Sequence, residues 1–303
     1  MVITEPCVLL DMPEDVYHSD PCPEPSLSST MAKTIVKPGG PAILRWDMTH
    51  PRIEKREFDF GHAAHEKILG RGPGTVEIPD EYLTSSGAIS SRSEARAWMA
   101  AQRDAGLIPL KPESITQIDD MAEAILNEPV CADLLTTGHG MPEVSMFSID
   151  PETSRWMRGR IDFLASSTVV CDYKTSTPSV DPVSWDKTSW NYGYHIQAAW
   201  YLRLGALLGV IDPDAEFWFI AQQKTPPYLA CAHRIGADLL DIGWVTCESA
   251  IRMWDQCLTT EEWPRISART EVMEPPYWVR REIQQQQENE RASELLELLE
   301  NME

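Results

Sequence analysis

Asp162 and the run Asp172-Tyr173-Lys174 are the residues whose types and spacing point most directly to chemistry. They lie in two stretches that read as strands, Arg158 to Ala165 and Thr168 to Lys174, joined by a short turn at Ser166-Ser167. Treated as an antiparallel hairpin centred near Ser167, paired residue numbers sum to about 334, so Asp162 falls opposite Asp172 with Cβ atoms about 5 Å apart. Asp172 and Lys174, two positions apart, then project from one face. Opposed carboxylates destabilise a strand pair unless a cation bridges them, a proton is shared, or a base lies between them. Hard oxygen ligands in pairs suit Mg²⁺ or Mn²⁺. A lysine beside them can hold or activate a water, or offset charge on a phosphate. The bland alternative is an amphipathic hairpin with a surface Asp–Lys pair, which is what most D-x-K tripeptides are.

These two strands need a scaffold, and the rest of the chain supplies its outline. Residues 1–25 are Pro-rich and acidic, which predicts an extended acidic arm. Ser26-Leu27-Ser28-Ser29 reads as a helix N-cap ahead of Met31 to Val36, with a break at Pro38-Gly39-Gly40-Pro41. Helices are expected over Phe58 to Leu69, Ser91 to Ala105 and Ser114 to Asn127, the latter two opened by capping-type residues. Met141 to Ile149 precedes the hairpin as a further strand. Trp190 to Leu208 reads as one helix with Tyr194, Gln197, Ala198 and Tyr201 along one side. A strand pair over Ala215 to Gln222 and Tyr228 to Ile235 follows, then a helix over Ala237 to Cys257. Val279 to Met302 reads as a polar helix with a cluster at Leu295, Leu296, Leu298 and Leu299. Helices, then strands, then a helix, then strands imply an α/β or α+β fold with a mixed sheet. The domain reading is an arm over 1–25, one domain over 26–265 and a polar helical tail over 266–303.

Composition bounds the function. The chain has 303 residues, 43% apolar and 24% charged, enough for a sizeable core. Its net charge of −21 argues against a protein that grips nucleic acid or anionic membrane by a broad basic surface. The charge is uneven, however. Residues 1–30 hold six acids and no base, and 281–303 hold seven acids and two bases, whereas 151–210 sum to +1 and 31–75 to +3. No apolar run is long enough to span a bilayer, and no basic-then-apolar leader opens the sequence, so a cytoplasmic protein without membrane contact is expected. The seven cysteines are scattered and form no C-x-x-C pair, which speaks against a disulfide framework, a zinc knuckle or a clustered iron–sulfur site. Gly39-Gly40 lacks the Lys-Ser/Thr of a phosphate-binding loop, and His62-x-x-His65-Glu66 is not a zinc-protease order. Trp185, Trp190, Tyr192 and Trp200 could stack on bases, although aromatics on a helix and its approach more often fill core.

Asp162, the nine-residue gap and Asp172-Tyr173-Lys174 resemble the signature of the PD-(D/E)xK nucleases. Gly61-His62-Ala63-Ala64-His65-Glu66-Lys67-Ile68-Leu69 is similar to the upstream helix of the RecB/RecE-type branch, Gln197-Ala198-Ala199-Trp200-Tyr201 matches its Q-x-x-x-Y motif, and Tyr17-His18 with Pro25-Ser26-Leu27-Ser28-Ser29 resembles the opening of the phage and prophage RecE-like (exodeoxyribonuclease VIII) nuclease domain. The resemblance implies a restriction-endonuclease-like core with a central mixed β-sheet flanked by helices. It implies Mg²⁺, replaceable by Mn²⁺, on His65, Asp162, Asp172 and the Tyr173 carbonyl. Lys174 would orient the attacking water, Gln197 and Tyr201 would face the site or the DNA backbone, Glu143 would be an extra site carboxylate, and Arg160 a phosphate contact. Ile161 stands where the signature usually has Pro. The implied activity is resection of double-stranded DNA ends 5′ to 3′ for phage-type recombination, with a RecT-like annealing partner, a homo-oligomer, and action in the host cytoplasm. The alternatives are endonuclease or single-strand trimming activity, or a non-catalytic phage interaction protein on the same fold.

Overall fold

The computed structural model describes residues 1–50, 57–72, 74–136, 140–266 and 272–300. The chain opens with β1 (Cys7–Leu9), α1 (Glu14–His18), β2 (Leu27–Ser28), α2 (Ser29–Ile35), α3 (Gly40–Thr49) and α4 (Glu57–Leu69). Next come β3 (Thr75–Glu77), α5 (Ser93–Asp104), β4 (Ile108–Leu110), α6 (Pro112–Leu126) and α7 (Pro129–Thr136). The sheet strands β5 (Met141–Ile149), β6 (Trp156–Ser166) and β7 (Val169–Ser176) precede α8 (Pro182–Tyr192) and α9 (Tyr194–Leu207). β8 (Glu216–Gln223), β9 (Ala230–Arg234), α10 (Ala237–Thr260) and α11 (Tyr277–Glu300) complete the chain. Residues Met1–Arg265 form one compact unit and Ile266–Glu303 another, the latter built on the polar α11. The side chains of the expected Leu295–Leu299 cluster lie outside the described part.

The main sheet runs β1-β5-β6-β7-β8-β9, with β2 pairing parallel to β6. β7 and β8 are parallel and the other neighbours antiparallel, so the sheet is mixed, as expected. A parallel neighbour needs a long crossover, and α8 with α9 supplies it. Along β7 the side chains alternate. Val170 packs with the core that holds Ala198, Trp200 and Trp254, whereas Cys171 and Tyr173 pack with Ala63, Ala64 and Ile118 on the other face. Helices therefore flank the sheet on both faces. α9 is buried nearly all round, as a helix between the sheet and α10 must be. Trp200 Nε1 donates to Arg158 O at 2.9 Å and ties α9 to β6. The approach is close enough that a Cβ on Gly159 would stand 3.0 Å from Tyr201 Cδ1.

Three expectations are corrected. Residues 1–25 are not a loose arm: β1 pairs with β5, and Ile3, Met12 and Tyr17 are buried against Phe147 and Trp156. Apolar residues spaced between prolines and acids were enough to anchor a segment that composition alone describes as extended. The stretch from Trp190 is not one helix. Gly193, at φ +65°, ends α8 and starts α9, and Asp181 caps α8 by accepting from Val183 N and Ser184 N at 3.1 Å. The caps of α5 and α6 are Arg92 and Lys111, which make no side-chain cap bond. Ser28 does cap α2, accepting from Met31 N at 3.3 Å.

Candidate active site

The β6–β7 ladder pairs Phe163 with Cys171 and Leu164 with Val170. Continued one step, that register sets Asp162 across from Asp172, the arrangement expected from the turn. At this step the ladder yields to side-chain bonding, with Tyr173 N donating to Asp162 Oδ2 at 3.1 Å. On the other side of β6, Pro142 pairs with Phe163 and Val144 with Ile161, so Glu143 lies beside Asp162. Glu143 sits at φ +56°, a conformation that costs a non-glycine residue on the order of 1 kcal/mol or more.

Lys174 Nζ contacts Asp172 Oδ1 and lies 4.0 Å from Asp162 Oδ2. From α9, Gln197 Nε2 donates to Asp172 Oδ2 at 2.6 Å. From α4, His65 Nδ1 comes within 3.6 Å of Asp162 Oδ2, its ring edge-on to Tyr173 at 5.1 Å, and the Tyr173 backbone is hydrogen-bonded to His65. His65, Glu143 and Asp162 each offer a ligand atom, all within 4.8 Å of one another. Two carboxylates and an imidazole are the hard-to-intermediate donors that suit Mg²⁺ or Mn²⁺, so the donor set fits a divalent cation. Asp172, expected as a ligand too, stands outside this group of three with its oxygens on Lys174 and Gln197.

Burial dominates the electrostatics. It pushes the carboxyls of Asp162 and Asp172 up to about 6, and the Asp162 charge adds to the effect on Asp172. Burial, with Lys174 nearby, brings His65 down to about 4, so its imidazole is neutral at pH 7 and keeps a lone pair for a ligand. Burial disfavours the Lys174 ammonium, yet Asp172 and Asp162 outweigh it and hold the ammonium above the ordinary lysine range.

Asp162, Asp172, Tyr173, Lys174, His65, Glu143 and Gln197 thus converge. Two other expected residues sit differently. Arg160 Nε donates to Glu143 Oε2 at 2.5 Å, and its Nη1 donates to Met12 O at 3.0 Å and to Ser145 Oγ at 3.3 Å. Here it holds a site carboxylate. Tyr201 lies one turn past Gln197, buried against Gly159 and Phe217 and hydrogen-bonded to Ser29. Sequence reasoning missed Lys33 on α2, whose Nζ donates to Gln197 Oε1 at 3.3 Å. The only signal for it was the excess of bases in residues 31–75.

Residues 52–276 match the family model described as a PDDEXK-like domain of unknown function, DUF3799. No curated protein matches the chain. Among solved structures, a protein from Eubacterium rectale described as a candidate exonuclease aligns over 83% of this chain and 90% of that one, with a TM-score of 0.55 at 13% identity, a likeness of fold. The structure of SSO0001 aligns over 66% of this chain and 87% of that one with a TM-score of 0.27 at 14% identity, too low to carry an argument. The family match spans well over half of the chain and takes in His65, Glu143, Asp162, Asp172, Lys174 and Gln197. On that match the chain belongs to the PDDEXK-like family DUF3799, within the PD-(D/E)xK nuclease superfamily.

Proposed function

We propose that this protein is a Mg²⁺-dependent DNA exonuclease of the RecE-like type, which hydrolyses phosphodiester bonds from duplex ends 5′ to 3′ and leaves a 3′ strand for a RecT-like annealing recombinase. The observation that carries the reading is a buried surplus of carboxylate. Asp162 and Asp172 face each other beside Glu143, with Lys174 between the two aspartates and a neutral His65 at hand. A purely structural hairpin gains nothing from opposed acids. His65, Glu143 and Asp162, with Asp172, would hold the divalent cation. Bound there, the cation supplies positive charge against the phosphate oxygens and acidifies a water. Lys174, kept charged by its two carboxylates, donates hydrogen bonds to the attacking oxygen and to the charge that develops on phosphorus-bound oxygen. Gln197 fixes the rotamer of Asp172 through its 2.6 Å bond. Arg160 does the same for Glu143.

The RecE-like assignment rests on the order of motifs, from Tyr17-His18 and the Ser28-capped α2 through His65 to Gln197 and Tyr201. The same resemblance supports a homo-oligomer and action in the cytoplasm of a phage host. No described helix is long and apolar enough to cross a membrane. The net charge of −21 is compatible with DNA, because the site segments are near neutral and a bound cation adds charge where a phosphate sits.

Linear duplex labelled at the 5′ or the 3′ end, digested with and without Mg²⁺, tests the reading. Release of 5′ label first, dependence on Mg²⁺ and inactivity of Asp172→Ala are expected. Cutting of covalently closed circles would replace exonuclease by endonuclease. Cleavage retained by Asp172→Ala would remove the assigned roles.

A further inference from the structure

Lys33 has an ammonium in a half-buried position and no carboxylate within ion-pair distance among the described residues. Its contacts are Gln197 Oε1 at 3.3 Å and the ring of Tyr194, whose centroid lies 5.9 Å from Nζ. Lys174 Nζ stands 5.5 Å from the centroid of that same ring. Two ammoniums thus gather at one tyrosine, and only Lys174 is matched by acids. Burial, then Lys174, brings Lys33 down to about 8, against a weaker upward pull from Asp172. Such a cation is an anion site waiting for its partner.

The corner that holds Lys33 also carries a stack of rings. Gly193 lies against the Lys33 stem, where a Cβ would come 3.1 Å from Lys33 Cδ. Tyr194 follows it and stacks on the buried Phe219 at 5.1 Å with an interplanar angle of 22°. Tyr192 precedes it and stacks on Tyr194 at 5.7 Å and 19°, yet is 65% exposed. The column runs from the core past the active-site lysine and ends in an open aromatic face. The structure also separates the four aromatics considered above: Trp185 and Trp200 are core, while Trp190 and Tyr192 reach solvent.

We infer that Lys33, Tyr192 and Tyr194 form a nucleotide subsite beside the catalytic carboxylates, which takes one nucleotide of an unpaired DNA strand with its phosphate on Lys33 and its base on Tyr192. The proposal rests on the nuclease reading above and extends it to the neighbour of the scissile phosphate. An open ring face selects an unpaired base, because a base inside a duplex already has both faces stacked. Continuity with the active site and the unmatched charge of Lys33 are what single out a nucleic-acid strand as the occupant.

The test is anisotropy of a labelled oligo-dT without divalent cation, over a series of salt concentrations, with wild type, Tyr192→Ala, Tyr192→Phe and Lys33→Met. Tyr192→Ala is expected to weaken binding by roughly 5- to 100-fold, and Tyr192→Phe to bind as wild type does. Lys33→Met is expected to lower the slope of log affinity against log salt by about 0.7, the loss of one phosphate contact on a single strand. Unchanged affinity in Tyr192→Ala, or an unchanged slope in Lys33→Met with reduced turnover, would overturn the subsite and leave Lys33 as a positioning group for Gln197. A change of oligomeric state in Tyr192→Ala with binding intact would overturn it in favour of a contact between copies. Wild type that digests duplex but binds no oligo-dT overturns the subsite alone. Wild type that neither binds nor digests DNA removes the nuclease reading and the subsite with it.

Discussion

Asp150 and Asp172 are both shut off from solvent, 1% and 0% exposed, and their carboxyls titrate in opposite directions. Asp150 accepts from Thr153 N at 2.9 Å, from Thr153 Oγ1 at 3.0 Å, from Glu152 N at 3.2 Å and from Arg203 Nη2 at 2.8 Å. Burial pushes its carboxyl up, but those donors outweigh burial and leave it below the ordinary range. Asp172 has Gln197 and Lys174, faces a second carboxylate, and is pushed up to about 6. One aspartate is saturated with donors and closes a turn. The other stands in a surplus of acceptors, which a ligand must complete. The distinction between structural and functional acids lies in this count of donors together with depth: neither carboxylate meets solvent, but Asp172 is the more deeply enclosed.

Substitution should separate the two most sharply. Asp172→Asn is expected to lose at least about 10³-fold in DNA cleavage, measured by end-label release. Its stability should fall less than that of Asp150→Ala, because Lys174 keeps Asp162 within 4.0 Å. Asp150→Ala should leave the chemistry alone and lose about 3–5 kcal/mol in denaturant unfolding, since Arg203 is left without its carboxylate. Equal stability loss in the two variants would break the comparison. Next in size, Gln197→Leu takes one donor from Asp172 and should cost roughly 10–100-fold in cleavage rate while the fold survives.

A third outcome concerns pH. The folded carboxyls of Asp162 and Asp172, at about 6, stand above their unfolded values. The stability they contribute is therefore complete in acid and lost as pH rises through 6. A cation must displace their protons below that point. Saturating Mn²⁺ should raise the melting temperature by several degrees at pH 7.5 and by much less at pH 5, read by thermal denaturation. The Asp150→Ala protein should show the same metal-induced increment. Least affected should be Arg234→Gln, which breaks an exposed pair with Glu216. Its stability should stay within about 1 kcal/mol of wild type, and its cleavage rate should not move.

The legible part of the site is the part held by short-range chain geometry. A turn at Ser166-Ser167 and period-two alternation were enough to oppose Asp162 and Asp172, although the pairing slips by one residue beside the turn, where Ser166 meets Val169. The observed Phe163–Cys171 pairing is the one that arithmetic predicts. Glu143 was foreseen as a carboxylate on the preceding strand, though its left-handed backbone was not, since no propensity marks a glutamate for that conformation. Lys33 was invisible because its partner Gln197 is 164 residues away, and only the docking of α2 on α9 brings them together. The break at Gly193 was passed over because one glycine between two helical runs reads as an interruption a helix can absorb. The small parallel pairing of β3 with β4 lies between segments too short for any periodic signal.

Glu143 has a consequence for how this site can change over generations. At φ +56° the backbone there favours glycine, while the carboxylate there serves the site. Glu143→Gly would remove the strain and the ligand together, but it would also leave the largely buried Arg160 guanidinium without its carboxylate. The strained backbone at this one position is therefore kept by the carboxylate's two duties together, to the site and to Arg160. A glycine at 143 in a relative would mark a copy that has kept the fold after its catalysis lapsed.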